Sequence, residues 1–420
     1  MIQFAVIADD LTGAADTAIQ FCRVSAPVLM VSHQHLFSLD SGFACGALAV
    51  HTSSRHLFPA EAAALVRRTG LLISEQGPRV VYKKIDSCLR GNVGAEVESL
   101  INVLGYESAF VAPAFPAQGR STLHDVHYIQ GVPLALSEMA RDRLNPVKSS
   151  RLSRLMAIQA RCHIGRIDVA CLESGSERMR AAVDDLLRQG CRIVTFDSTS
   201  QRHLEVIARL ACEHFPKTLL TGSAGLARAL VQNLPSKEEP QPQGPAILGR
   251  RLLFVCGSNS TVLRTQVEFL LRQDRIKRHV LRPGLQADVG RRHGKIGRDL
   301  ADGAVVLQLA PPGTEGPGIS SASADQAARE LAAMAVTAMR LRRPDGLFIS
   351  GGDTAAAVLD ALGATGIWLH AEIQPGLVLG SLKGGGWEGL AAVIKAGAFG
   401  GPDTLSRIYD VLTGKEFLNE

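Results

Sequence analysis

Short, uninterrupted apolar runs that stop abruptly at polar or glycine residues recur along this whole chain. Phe4–Ala8 runs into Asp9-Asp10, Ala47–Val50 into His51-Thr52, Leu252–Cys256 into Gly257, and Leu347–Ser350 into Gly351. A strand that is apolar on consecutive residues must be covered on both faces, which calls for a parallel sheet with helices packed outside it. Further runs of this kind fall at 28–31, 80–82, 109–112, 167–171, 192–196, 218–220 and 305–309. Stretches with helical periodicity (60–73, 177–189, 204–212) alternate with them. The expected fold class is α/β, with no repeat of fixed period.

One segment interrupts this alternation. Residues 235–245, PSKEEPQPQGP, hold four prolines and no apolar periodicity, so they cannot bury enough surface to order themselves. They read as a linker between an N-terminal domain (1–234) and a C-terminal domain (246–420), each with a mainly parallel sheet flanked by helices. Both lengths are ordinary for domains. In a chain of 420 residues with 46% hydrophobic and 20% charged residues, each domain has enough apolar material for its own core.

Composition excludes several functions. The net charge of +5 is slight for this length, and the basic residues form only pairs without interleaved aromatics, so no nucleic-acid surface is expected. The eight cysteines include no C-x-x-C pair and no cluster with zinc spacing, which leaves reduced, mostly buried thiols. The N-terminus lacks a basic stretch before a long apolar run, and no apolar stretch reaches the ~18 residues of a membrane span. A cytoplasmic protein that does not engage membranes is expected.

Three groups of residues could carry chemistry. Asp9-Asp10 follows the first strand directly and precedes a helical pattern, the place where ligands bind in doubly wound sheets. Two adjacent aspartates are not expected to point into one cleft, so one of them should cap the helix; the plain alternative is that both merely cap. Lys83-Lys84-Ile85-Asp86-Ser87-Cys88-Leu89-Arg90 packs two Lys, one Asp, one Ser and one Arg into eight positions after another strand. Alternation along an extended segment would send Lys84 and Asp86 to the same side. Cations and hydroxyl-binding groups together suit a small, anionic, polyhydroxylated ligand, whereas a solvated charged loop is the plain alternative. The third group comprises three glycine-rich turns after strands: Cys256-Gly257-Ser258-Asn259-Ser260, Ser350-Gly351-Gly352-Asp353-Thr354 and Lys395-Ala396-Gly397-Ala398-Phe399-Gly400. Helix starts and glycines let backbone N–H groups approach phosphate closely. Of 41 glycines, 15 lie within residues 346–420, where two of these turns sit. No G-x-x-x-x-G-K-[ST], protein-kinase signature or G-x-S-x-G elbow occurs. Gly384, Gly386 and Gly389 match G-x-G-x-x-G outside a strand–turn–helix setting and read as a loop.

These blocks resemble the four-carbon acid sugar kinase family. The likeness rests on Ile7-Ala8-Asp9-Asp10-Leu11-Thr12-Gly13-Ala14, Tyr82–Ser87 with Arg90-Gly91-Asn92, Ala112–Pro116 with Gly119-Arg120, Gly222–Ala227, and the second and third glycine turns. They stand in family order over the whole chain. The resemblance implies an ATP-dependent kinase acting on the terminal hydroxyl of D-threonate or D-erythronate, with 3-oxo-tetronate as the alternative. It implies an acid-binding N-terminal domain, a nucleotide-binding C-terminal domain and an active site in the cleft between them. Carried over by motif, the acid-binding positions are Asp10, Arg55, Lys84, Ile85, Asp86, Ser87 and Arg90, with Asp10 catalytic. The nucleotide positions are Ser258, Gly351, Gly352, Asp353, Gly397, Ala398, Phe399 and Gly400. ATP and Mg²⁺ are the implied cofactors, the metal ligands stay unassigned, and a homodimer is the default assembly. Two readings of other classes remain open: a lyase or isomerase using Lys83 or Lys84 without nucleotide, and a non-catalytic sugar-acid sensor.

Overall fold

The computed structural model describes residues 2–38, 44–142, 144–235, 249–273, 276–284, 289–310 and 324–414. The chain divides into two compact units, Met1–Gln241 and Pro242–Glu420. Apart from Pro235, the expected linker lies outside the described residues.

The first unit opens with strands β1 (Phe4–Ala8), β2 (Val28–Ser32), β3 (Ala47–His51), β4 (Val80–Lys84) and β5 (Ser108–Ala112). A short antiparallel meander follows, β6 (Arg120–Leu123), β7 (Val126–Ile129) and β8 (Val132–Pro133), and then β9 (His163–Ile167), β10 (Cys191–Phe196) and β11 (Thr218–Gly222). Helices α1 (Leu11–Ala18), α2 (Pro59–Glu75), α3 (Val93–Leu104), α4 (Leu152–Gln159), α5 (Val169–Glu173), α6 (Ser176–Arg188), α7 (Gln201–His214) and α8 (Ala224–Gln232) connect them. The main sheet runs β2-β3-β1-β4-β11-β5-β10-β9, parallel throughout. Every residue of β1, β3 and β5 is buried, as continuous apolar strands covered on both faces require. Successive strands are added first on one side of β1 and then on the other, so the chain changes direction there. In β1, Ala8 stands opposite His51 of β3 and Lys84 of β4. Three neighbouring strands therefore end level, and whatever follows them must share one rim.

One expected strand is corrected. Residues 167–171 were read as continuous apolar β-structure, but β9 stops at Ile167 and Val169–Glu173 is helical. The cause is Asp168, whose carboxylate accepts the Cys171 N–H at 2.9 Å and caps a helix start.

The second unit holds β12 (Leu252–Cys256), β13 (Ile276–Leu281), β14 (Ala304–Leu309), β15 (Gly346–Ser350), β16 (Gly366–Gln374), β17 (Leu377–Lys383) and β18 (Ala391–Lys395). Its helices are α9 (Thr261–Leu270), α10 (Val289–Asp302), α11 (Ala324–Leu341), α12 (Gly352–Leu362) and α13 (Thr404–Leu412). Strands β13-β14-β12-β15-β18 are parallel, and β17 and β16 extend the order antiparallel. The β16–β17 hairpin was not expected from the sequence, because its apolar runs, Ile367–Leu369 and Leu377–Leu379, are only three residues long before His370 and Gly380 interrupt them. The Gly384–Gly389 stretch is a turn with one short 3₁₀ segment, as its lack of a strand–turn–helix setting implied. None of the described helices is long and apolar enough to cross a membrane.

Phe254 of β12 and Phe348 of β15 anchor the core of this unit, with ring centroids 5.2 Å apart and almost no exposure. Truncating such a side chain loses transfer energy and leaves a cavity. Phe254→Ala is expected to destabilise the protein by about 3–5 kcal/mol in urea unfolding. A midpoint equal to the wild type would contradict this account of the core.

Candidate active site

The rim formed by β3, β1 and β4 carries a cluster of charged residues, Asp9, Asp10, Arg55 and Lys84, with Asp86 and Arg90 just beyond. Just past β1, Asp10 takes an extended conformation and caps α1: its Oδ1 accepts the Gly13 N–H at 3.2 Å, and the Thr12 hydroxyl donates to Oδ2 at 2.6 Å. Arg55, four residues past β3, reaches across with Nε 2.7 Å from Asp9 Oδ2 and a terminal nitrogen 2.7 Å from Asp10 Oδ1. Both aspartates thus face the same guanidinium, correcting the expectation that adjacent carboxylates diverge. Capping and site duty fall on one residue, Asp10. The arrangement holds because the cation between the carboxylates offsets their repulsion.

Lys84 ends β4 on this rim and is buried. A side chain on Gly13 would come within 2.5 Å of Asp10 Oδ1 and 2.7 Å of Lys84 Nζ, so only glycine leaves room there for the carboxylate and the amine. Asp86 lies beyond Lys84 and is gripped by Arg90, with Nε at 2.6 Å from one oxygen and a terminal nitrogen at 3.3 Å from the other. The Arg90 N–H also donates to Asp86 at 3.2 Å. Burial works to raise the pKa of Asp86, but Arg90, Arg55 and Lys84 outweigh it and hold the carboxyl well below the usual range. Asp10 follows the same pattern: burial raises it, while Arg55, Lys84 and the Thr12 hydroxyl bring the net shift downwards. The backbone carbonyl of Ser87 is bonded by His127 Nε2 at 2.8 Å, and Thr122 holds the other ring nitrogen at 2.9 Å. Burial pushes His127 down to about 4, so it stays neutral and acts as a fixed prop. Ile85 is buried, and its N–H bonds the Gly222 carbonyl, so it belongs to the wall of the segment.

Beneath the rim lies a second, closed network that the sequence reading missed. Lys83 points to the opposite face of β4 from Lys84, as strand alternation demands. Its amine is 2.6 Å from Glu96 of α3, and both side chains are almost wholly buried. Ser54 donates to the other Glu96 oxygen at 2.6 Å, Thr52 and Ser54 hydroxyls are 2.7 Å apart, and Thr52 donates to the Ala8 carbonyl at 3.0 Å. Lys83 is therefore committed to an ion pair, which removes it as a Schiff-base nucleophile. Nothing in the local spacing of Glu96 marks it, since its partners lie 13 and 42 residues away.

In the second unit the three glycine turns meet at the ends of adjacent strands β12, β15 and β18. The Gly257 N–H bonds the Ser350 carbonyl and the Gly351 N–H bonds the Lys395 carbonyl, both at 3.1 Å, so each turn is tied to the next. Ser260 caps α9 and donates to the Gly397 carbonyl at 2.8 Å. Gln266 of α9 donates to the carbonyls of Phe399 (3.0 Å) and Gly401 (2.9 Å). Ser258 lies directly against Gly397, where a Cβ would collide with its hydroxyl. Gly351 adopts φ +106 and starts α12 with no side-chain cap, and Asp353 sits in that first turn; a helix start favours an anion. Ser258, Gly351, Gly352, Asp353 and Gly397–Gly400 thus lie on three turns that touch one another, with glycine where the backbones come close beside a helix start. Those features fit the phosphates of a nucleotide.

Comparison with known proteins agrees with both halves. The model of a sugar-binding N-terminal domain matches residues 4–230, and that of a nucleotide-binding C-terminal domain matches residues 253–405. A D-threonate kinase of Salmonella typhimurium is 29% identical over 427 residues, covering 96% of this chain and 97% of that protein. A D-erythronate kinase of Heliobacterium modesticaldum is 28% identical, covering 99% and 98%. A solved structure from Salmonella typhimurium LT2 superposes with a TM-score of 0.79 at 23% identity, covering 97% of this chain and 99% of that one, a likeness of fold. The chain belongs to the four-carbon acid sugar kinase family and is a phosphotransferase.

Proposed function

We propose that this kinase transfers the γ-phosphoryl group of ATP to the terminal (4-) hydroxyl of D-threonate or D-erythronate, with 3-oxo-tetronate as the alternative acceptor. The observation that carries this reading is the buried rim cluster of Asp10, Arg55, Lys84, Asp86 and Arg90, which combines cations for a carboxylate with acceptors for hydroxyls. In this proposal residues 1–234 form the acid-binding domain and residues 246–420 the nucleotide-binding domain.

Lys84 and Arg55 hold the acid's carboxylate, Arg55 being locked in place by Asp9 and Asp10. Asp86, oriented by Arg90, and Ser87, propped through His127, read the hydroxyls. Asp10 already accepts three hydrogen bonds, from Gly13, Thr12 and Arg55. A carboxylate has about four lone-pair sites, which leaves room for one substrate hydroxyl. With its pKa below the ordinary carboxylate value, Asp10 is a weak base but a well-fixed hydrogen-bond acceptor. Its role is to orient the attacking hydroxyl, taking the proton only as the bond to phosphorus forms. That suits a loose transition state, in which catalysis is mostly positioning and charge neutralisation. The glycine turns hold the ATP phosphates by backbone N–H groups. A Mg²⁺ ion bound with the nucleotide would supply charge neutralisation at the phosphates, beside the turns that carry Ser258, Asp353 and Gly397.

Assays of ATP consumption with D-threonate, D-erythronate and 3-oxo-tetronate should show turnover of at least one, with the new phosphoester on C4 by ³¹P NMR. Asp10→Asn should lower kcat by ~10² or more while the fold is retained. No turnover with any of the three acids, or an Asp10→Asn enzyme as active as wild type, would sink the reading.

The depressed pKa of Asp86 makes a separate prediction about pH. Its folded pKa lies below the unfolded value of 3.8, so the stability it contributes is present above about pH 4 and lost as pH falls through the folded value. Asp86→Asn should therefore cost about 2 kcal/mol at pH 7. The gap to wild type should narrow only below about pH 4, as read from urea midpoints at several pH values.

A further inference from the structure

One buried cation has no part in the roles above. Lys395 ends β18, and its side chain is fully buried. Its amine donates to the carbonyls of Ala396 (2.9 Å) and Gly397 (3.2 Å), the first residues of the turn that follows. Among the described residues no carboxylate lies within ion-pair distance of it. The neighbours on adjacent strands are Ser350 of β15 and Leu377 of β17, and the one titratable group acting on it is Cys256 of β12. Burial pushes that thiol up to about 12, so it remains neutral.

Peptide geometry gives this arrangement a direction. In a trans peptide the C=O and N–H point opposite ways. With the carbonyls of residues 396 and 397 turned towards the amine, the N–H groups of Gly397 and Ala398 point away from it. Among the described residues neither N–H has an acceptor. Two consecutive free N–H groups on a glycine turn, backed by an ammonium, form an anion-binding concavity. Burial without a counter-charge disfavours the charged amine, a penalty that an anion laid on the turn would offset.

We propose that Lys395 is the positioning cation of the phosphate site: it aims the Gly397 and Ala398 N–H groups and takes up a proton as nucleotide phosphate binds. The inference rests on the reading of this turn as a nucleotide site. Burial lowers the amine to about 7, with the neutral thiol beside it a minor influence, so at pH 8 the free protein carries it mostly uncharged. A phosphate nearby favours the charged form.

The test is calorimetry of Mg²⁺–ADP binding at pH 8, where the nucleotide itself is fully ionised, in buffers of different ionisation enthalpy. The wild type should take up more than half a proton per nucleotide bound. Lys395→Met, close in shape and without charge, should lose that uptake and bind Mg²⁺–ADP at least tenfold more weakly, with affinity for the sugar acid within twofold. Wild-type binding without proton uptake would overturn the inference whatever the variant does. So would a Lys395→Met protein with wild-type affinity and uptake. Gly397→Val, which drives a side chain into Ser258, separates the two claims. If it binds Mg²⁺–ADP normally, the nucleotide-site reading fails and the inference with it. If it abolishes binding while Lys395→Met changes nothing, the site stands and the inference alone falls.

Discussion

The charged rim of the first unit depends on a single guanidinium. Arg55 stands between two carboxylates that the chain places side by side, and without it Asp9 and Asp10 would face each other's charge in a buried setting. Bonding both lets Asp10 cap α1 while its carboxylate stays on the rim beside Arg55. The buried pair Lys83–Glu96 fixes the level at which this happens. It joins β4 to α3, while Ser54 and Thr52 tie the Arg55 segment to Glu96 and to the end of β1. The rim is therefore rigid for reasons that lie below it. A buried ion pair adds little net stability once desolvation is counted, but losing one partner leaves an uncompensated charge. Specific placement of the segments above is the better account of why it is there.

The turns of the second unit are fixed mainly through backbone groups. They are held by backbone hydrogen bonds from one strand end to the next, with Ser260 and Gln266 of α9 pinning the third turn from the side. Glycine is needed where turns touch, at Gly397 against Ser258 and at Gly351 with its positive φ. The glycine excess of residues 346–420 has its local cause in these contacts and in the sharp turns around β16, β17 and β18. The first half presents fixed side-chain charges suited to telling one acid from another. The second presents backbone donors, which every nucleotide phosphate can use.

The two halves also differ in what burial does to ionisable groups. On the first rim, cations outweigh desolvation, so Asp10 and Asp86 stay ionised although buried. At Lys395 nothing outweighs it, and the amine moves towards neutrality. Burial alone therefore does not set the charge of a group; the partners that share its burial do.

The α/β class, nearly every strand of continuous apolar character, and the candidate segments at strand ends are legible in the sequence. Those signals are local: strand length, the switch from apolar to polar, and glycine or aspartate at a strand end. It could not show that Asp9 and Asp10 converge, because that convergence is imposed by Arg55, 45 residues away and brought alongside by the parallel pairing of β1 with β3. Glu96, and the burial of Lys395 at the head of its glycine turn, escape a sequence reading for the same reason. A glutamate in a helix and a lysine at a strand end look solvated until packing closes around them. Residues 167–171 misled in the opposite sense, since a capping aspartate outweighed an apolar run. Only the tertiary structure decided which charges are buried and which partner each one faces, because desolvation and ion pairing act across space between segments that the chain keeps far apart.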